Sequence, residues 1–115
     1  MEEILRVYGY EMYNALYESK SRRDVLLFFN DNPMELSISY VSKKMNIDYT
    51  TIKGIVTGES GNYKKSRSLV DLGLVIWKIL KSGKFVFYIS QRGIEVARQL
   101  KSSHQSQFVR KIAIV

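Results

Sequence analysis

Two short apolar-striped segments meeting at Asn46 constrain this chain more than any other feature. In the run ISYVSKKMNIDYTTIKGI, residues 38–55, Ile38, Val41 and Met45 recur at the i, i+3, i+7 spacing of one helix face. Ser42 is small and sits where two helices would cross closely. Asn46 tolerates, second to glycine, the left-handed conformation that closes a helix. Ile47 is an apolar plug in the turn, Asp48 suits the cap of the next helix, and Ile52 and Ile55 return to the core. Tyr49, Thr50, Thr51 and Lys53 are then left facing outward at the start of the second helix. The pattern predicts a helix, a tight turn and a second helix, the arrangement that lays a helix in the DNA major groove. The competing reading is any helical hairpin with a capped second helix.

A chain of 115 residues is enough for one domain with its own core. The hydrophobic fraction of 45% and charged fraction of 25% are ordinary for a soluble domain. No apolar run approaches the roughly 18 residues of a membrane span, and MEEILRV at the start is acidic and unlike a signal peptide. The absence of cysteine excludes disulfides and thiolate metal sites, so a cytoplasmic protein is expected. The net charge of +7 is unevenly placed. Residues 1–35 hold four Lys/Arg and seven Asp/Glu, net −3, whereas residues 36–115 hold fourteen and four, net +10. A basic bulk beside an acidic N-terminal segment suggests one face built for a polyanion. A solvated, lysine-rich surface is the alternative.

Residues 2–18 suit one amphipathic helix, with Ile4, Leu5, Tyr8, Met12, Ala15 and Leu16 in a stripe. Tyr10, Tyr13 and Tyr17 gather on a different face. That face either packs inside the chain or meets a second subunit, since tyrosine is enriched at interfaces. Ser21 suits the cap of a helix over 22–30, and Asn30, Asp31, Asn32 and Pro33 end it. Beyond residue 55 the second helix of the pair is weakened by Gly54 and stopped at Gly58. A basic loop follows, in which Asn62, Tyr63, Lys64, Lys65 and Arg67 form a candidate phosphate-binding element; a tolerated surface insertion is the alternative. The chain reads as helical again over 68–72, with Gly73 as its C-cap. Residues 74–81 (LVIWKILK) and 84–90 (KFVFYIS) read as strands joined by Ser82-Gly83, a two-residue hairpin signal. Lys81 and Lys84 flank the tip, and Lys78 lies lower on the first strand. Ser90 caps a last helix over 91–103, with Gly93, Val96, Ala97 and Leu100 on its apolar side. Residues 108–115 (FVRKIAIV) form an apolar tail that extends the helix, adds a strand or packs on a partner subunit.

The order helix, helix, helix, hairpin, helix resembles the winged helix-turn-helix fold. Leu72-Gly73-Leu74-Val75 resembles the step by which such domains leave the recognition helix and enter the wing. Tyr88-Ile89-Ser90-Gln91-Arg92-Gly93 resembles the step from the second wing strand into the final helix, with Ser in place of the usual Thr. Ile55, Gly58, Gly61, Tyr63 and the run SLVDLGLV at 68–75 are similar to an archaeal winged-helix DNA-binding family, most of whose members are uncharacterised. Here the glycines are three apart rather than two, and Tyr63 follows directly on Asn62. The similarity spans roughly residues 21–101. It implies an α+β winged helix, mainly helical with a two-stranded wing, carrying an N-terminal helix (1–18) and an apolar C-terminal tail (104–115) on a single domain. It also implies binding to double-stranded DNA as a homodimer.

The residues agree with that implication. Lys43 and Lys44 would hold phosphates before the turn, and Tyr49, Thr50, Thr51 and Lys53 would enter the major groove. The loop residues would extend the phosphate contacts, and Lys81, Ser82 and Lys84 would carry the wing across the neighbouring minor groove. The homodimer would use Tyr10, Tyr13 and Tyr17 together with the tail. His104 is the one histidine and has no partner for a metal site or a triad. Residues 54–58 (GIVTG) lack the Gly-Lys-Ser/Thr of a phosphate loop, and the carboxylates are scattered. No cofactor and no enzyme activity are expected. A protein-interaction module and a non-specific architectural DNA binder are the alternatives. No aromatic strand platform of the kind used by readers of single-stranded RNA is evident.

Overall fold

The computed structural model describes residues 2–59 and 64–114, with side chains from 3 to 59 and from 64 to 102. The helices are α1 (Glu2–Tyr8), α2 (Tyr10–Tyr17), α3 (Lys20–Asp31), α4 (Ile38–Met45), α5 (Tyr49–Thr57) and α6 (Gln91–Ile114). A 3-10 turn at Lys65–Arg67 follows α5, and strands β1 (Val75–Ile79) and β2 (Phe85–Ile89) precede α6.

The expected N-terminal helix is broken in two. Gly9 sits at φ 92°, a conformation that interrupts the helix and lets α2 turn away from α1. Ile4, Met12, Ala15 and Leu16 still reach the core, whereas Leu5 is left exposed. The next helix begins two residues earlier than expected and is capped by Ser19, whose Oγ accepts from Arg22 N at 3.1 Å, and not by Ser21. Starting there brings two arginines under the end of α2. Arg22 Nη1 donates to Ala15 O at 2.6 Å, and Arg23 Nη1 to Leu16 O at 2.8 Å. These cations satisfy carbonyls that the end of a helix leaves without intrahelical partners, at its negative pole.

Val25, Leu26 and Phe29 of α3 are fully buried and form the middle of the core. Val41 of α4, Ile52, Ile55 and Val56 of α5, Leu69, Leu74, Val96 and Ala97 close around them. The strands pair antiparallel in the register Val75↔Ile89 through Ile79↔Phe85. Leu36 adds an unanticipated isolated bridge to β2, exchanging both backbone hydrogen bonds with Phe87 at 2.8 Å. The hairpin loop is longer than the two residues expected. Gly83 N donates to Leu80 O, Leu80 N donates to Lys84 O, and Gly83 lies at φ 88°, so residues 81–83 form a three-residue loop with its last residue left-handed.

The two steps that flank the hairpin meet each other. Ser90 N donates to Leu74 O at 3.0 Å, and Ser90 Oγ donates to Gly73 O at 2.6 Å. The same Oγ accepts from Gly93 N at 2.9 Å, capping α6. A Cβ on Gly93 would stand 2.2 Å from Leu74 O, so only glycine admits this approach. The final helix runs past the expected 103 to Ile114, and the C-terminal segment therefore extends the helix.

Candidate nucleic-acid interface

Ser37 opens α4, its Oγ accepting from Tyr40 N at 3.1 Å. Burial of Ile38 and Val41 leaves Tyr40, Lys43 and Lys44 on the outer side. Asn46 closes the helix at φ 56°, the left-handed conformation its amide side chain tolerates. Ser42 does more than permit close approach. Its Oγ donates to Ile47 O at 2.5 Å and its own carbonyl accepts from Ile47 N at 3.1 Å. Both backbone groups of the turn residue are thus held by one serine. Asp48 occupies the N-cap position of α5 as expected, but its side chain makes no capping bond.

Because Ile52, Ile55 and Val56 are sealed in the core, α5 leaves Tyr49 and Thr50 exposed and Thr51 and Lys53 half-buried. These four and the α4 lysines are all at least partly open to solvent across the helix pair. Gly58 ends α5 at φ 74°, with Lys65 backbone so close that a Cβ would lie 2.4 Å from Lys65 Cα.

The segment beyond does not resume an α-helix. After the 3-10 turn, Leu69 N and Val70 N donate to Ile55 O and Val56 O, both at 3.0 Å. The chain folds back to satisfy the carbonyls at the end of α5, and the sequence read as helical is a single turn closed by Gly73 at φ 78°. Lys64 and Lys65 are exposed. Arg67 instead reaches across to the Glu18 carboxylate, which also takes a bond from Arg22 at 3.2 Å. The Arg67 guanidinium, helped by Arg22 and opposed by partial desolvation, holds the Glu18 carboxyl below its ordinary range. Asn62 and Tyr63 lie outside the described residues.

Lys81, Ser82 and Lys84 are exposed at the hairpin tip. Lys78 is on the other face from the aromatic residues described next, bonded to Glu35 at 2.6 Å. The register puts Val75, Trp77, Ile79, Phe85, Phe87 and Ile89 on one face of the hairpin. That face is buried at its base, through Val75, Phe87 and Ile89, and open at its outer half. Trp77 and Phe85 lie there with ring centroids 5.9 Å apart and planes 47° apart. They form one wall of a groove of about 810 Å³ whose other wall is α5, with Tyr49, Lys53, Lys65 and Lys84 around it. The sequence reading missed this half-open aromatic wall. The signal was present in the alternation of residues 75–79, but not the distance at which the hairpin leaves the core.

The tyrosines of α2 form a ladder, with centroids 6.5 Å apart for Tyr10 and Tyr13 and 4.8 Å for Tyr13 and Tyr17. Tyr10 is exposed, whereas Tyr13 and Tyr17 pack against the core. Arg23 stacks over Tyr17 at 5.6 Å. Their chain's own packing takes part of the face considered for a partner. Beyond Leu100, α6 continues for about 21 Å. No described helix is long and apolar enough to cross a membrane.

Helices α3 to α5, a hairpin paired to a residue before the helix pair, and the closing α6 define an α+β, winged-helix-like protein. The chain belongs to the EarA-like family, whose sequence model matches residues 12–100. That match begins within α2, ahead of the span over which the motifs are similar. An uncharacterised protein of Methanocaldococcus jannaschii is 26% identical over 99 residues, covering 85% of this chain and 87% of the relative. No solved structure matches the chain.

Proposed function

We propose that this protein is a cytoplasmic DNA-binding transcription regulator that engages double-stranded DNA as a homodimer. The observation that carries the reading is the division of α5, which buries Ile52, Ile55 and Val56 while presenting Tyr49, Thr50, Thr51 and Lys53 beside a lysine-tipped hairpin. The hydroxyls and methyls of this set suit thymine edges, and Lys53 suits guanine or phosphate. Lys43, Lys44, Lys64 and Lys65 take phosphates, and Lys81, Ser82 and Lys84 reach the next groove. Arg67 serves instead as the anchor of the loop, through Glu18. The exposed Tyr10 and the C-terminal stretch of α6 carry the second subunit.

Selection from random duplexes followed by sequencing tests the reading. The expected product is a palindrome with half-sites about 10 bp apart. An enrichment-free pool with binding that depends on salt alone would assign the protein to architectural binding. Failure of both heparin and random duplex to retain the protein at low salt would refute DNA binding and favour a protein-interaction module, whose working surfaces would be the tyrosine face of α2, where Tyr10 is exposed, and the C-terminal tail.

A further inference from the structure

The duplex reading leaves one feature unused. Trp77 and Phe85 are 51% and 55% exposed, and Tyr49 across the groove is 48% exposed. Phosphate contacts need no aromatic wall, and rings of this size are normally removed from water by the fold itself. Here three of them converge on one groove, Tyr49 from α5 and Trp77 and Phe85 from the two strands of the hairpin. Lys53 from α5, Lys65 from the 3-10 turn and Lys84 from the hairpin tip surround the rings, against a single acid, Glu59. The volume of about 810 Å³ lies within the range of ligand-holding clefts.

The occupant that matches this lining has flat π-faces and repeated negative charge, which is the chemistry of a nucleotide strand. Within a duplex the base faces are covered by stacking on their neighbours, whereas an unpaired strand can present them along its length to a protein ring. We infer that the groove between α5 and the hairpin binds unpaired nucleotides of a single strand, stacking bases on Trp77 and Phe85 while Lys53, Lys65 and Lys84 hold the phosphates. The inference deepens the nucleic-acid reading proposed above. It makes the hairpin a reader of opened DNA as well as an arm laid along the duplex.

Trp77 is the protein's one tryptophan, so its emission reports on this groove directly. The full chain is titrated with a labelled oligothymidylate, with a blunt duplex of equal length and with thymidine monophosphate. Trp77 emission and label anisotropy are read together. The oligothymidylate quenches Trp77. Trp77→Ala and Phe85→Ala each weaken single-strand binding by about tenfold and leave duplex affinity unchanged. Trp77→Phe, which keeps a ring at the same place, restores most of the single-strand affinity.

Unquenched emission on single-strand binding overturns the inference, as does an equal loss of single-strand and duplex affinity in the alanine variants. Failure of Trp77→Phe to rescue also overturns it. Quenching by the free monophosphate as tight as that by the oligonucleotide overturns the strand assignment. Duplex binding without single-strand binding refutes this inference alone. Single-strand binding without duplex binding refutes the duplex reading and keeps the groove, and loss of both refutes both.

Discussion

Substituting Gly93 by alanine sets two effects of opposite sign against each other, and the structure decides between them. Gly93 lies in the first turn of α6, where replacing glycine by alanine in a helix favours folding by up to about 1 kcal/mol. The added Cβ would meet Leu74 O at 2.2 Å and Ile89 Cγ1 at 2.7 Å. The first of these is backbone, so it does not swing away as a side chain would. Overpacking of this kind costs about 1–3 kcal/mol, and an obstruction by a carbonyl belongs at the upper end. The net expectation is a loss of about 1–2 kcal/mol. The loss goes further than stability, because relief requires α6 to move away from Leu74 and so strains the two bonds that Ser90 makes to Gly73 and Leu74. Urea denaturation of the variant and the parent measures the loss as a lower midpoint with the same slope. A variant as stable as the parent, or more so, would refute the close approach of α6 to the entry of the hairpin and the reading of both steps as one joint.

Other outcomes follow from the same geometry. Asn46→Ala should lower stability by about 1 kcal/mol, because a Cβ-bearing residue without the amide resists the left-handed turn, while Asn46→Gly should retain more stability in the same denaturation series. Lys64→Ala with Lys65→Ala should flatten the plot of log affinity against log salt by about 0.9 for every phosphate that the variant no longer neutralises; an unchanged slope in a DNA shift assay would remove both residues from the DNA-binding surface. The Glu18 carboxyl is depressed in the folded protein, so its stabilising contribution is complete above the unfolded glutamate range and is lost as pH falls through the folded value. Glu18→Gln should therefore make unfolding less steep with acid below about pH 4.3, by no more than the few tenths to about 1 kcal/mol that exposed pairs provide.

Where one residue type decides a conformation, the sequence was a reliable guide. Asn46 at the turn, Gly58 at the end of α5 and Gly93 against Leu74 each stand where no ordinary residue is equivalent. The outward set of α5 followed from its apolar spacing. Choices among near-equal local alternatives were not legible. Ser19 and Ser21 are both competent caps, and the winner is the one that places Arg22 and Arg23 under α2. The turn at 68–73 has a helix-like composition, but the open carbonyls of Ile55 and Val56 claim its amides. The apolar stripe of residues 2–18 runs unbroken through Gly9, so nothing in its spacing marks the break at φ 92°. Long-range ionic pairings were also hidden. Nothing local to Arg67 marks Glu18 as its partner, and that pairing turns an expected phosphate ligand into an anchor. The open wing face was missed for a related reason, since alternation gives a side of the strand but not where the core beneath it ends.

The close packing of Gly58 against Lys65 has a consequence for how much this surface can vary. The two ends of the segment between them are held together by the protein itself, with Leu69 and Val70 fastened to α5 behind and Arg67 to Glu18 at the side. A span whose ends are already fixed adds little entropy cost as it grows, about 0.6 kcal/mol for each doubling of length. The helix pair and the turn after it keep their mutual placement through contacts outside that span. The framework thus behaves as a socket, set by bonds among its own parts on either side of that span.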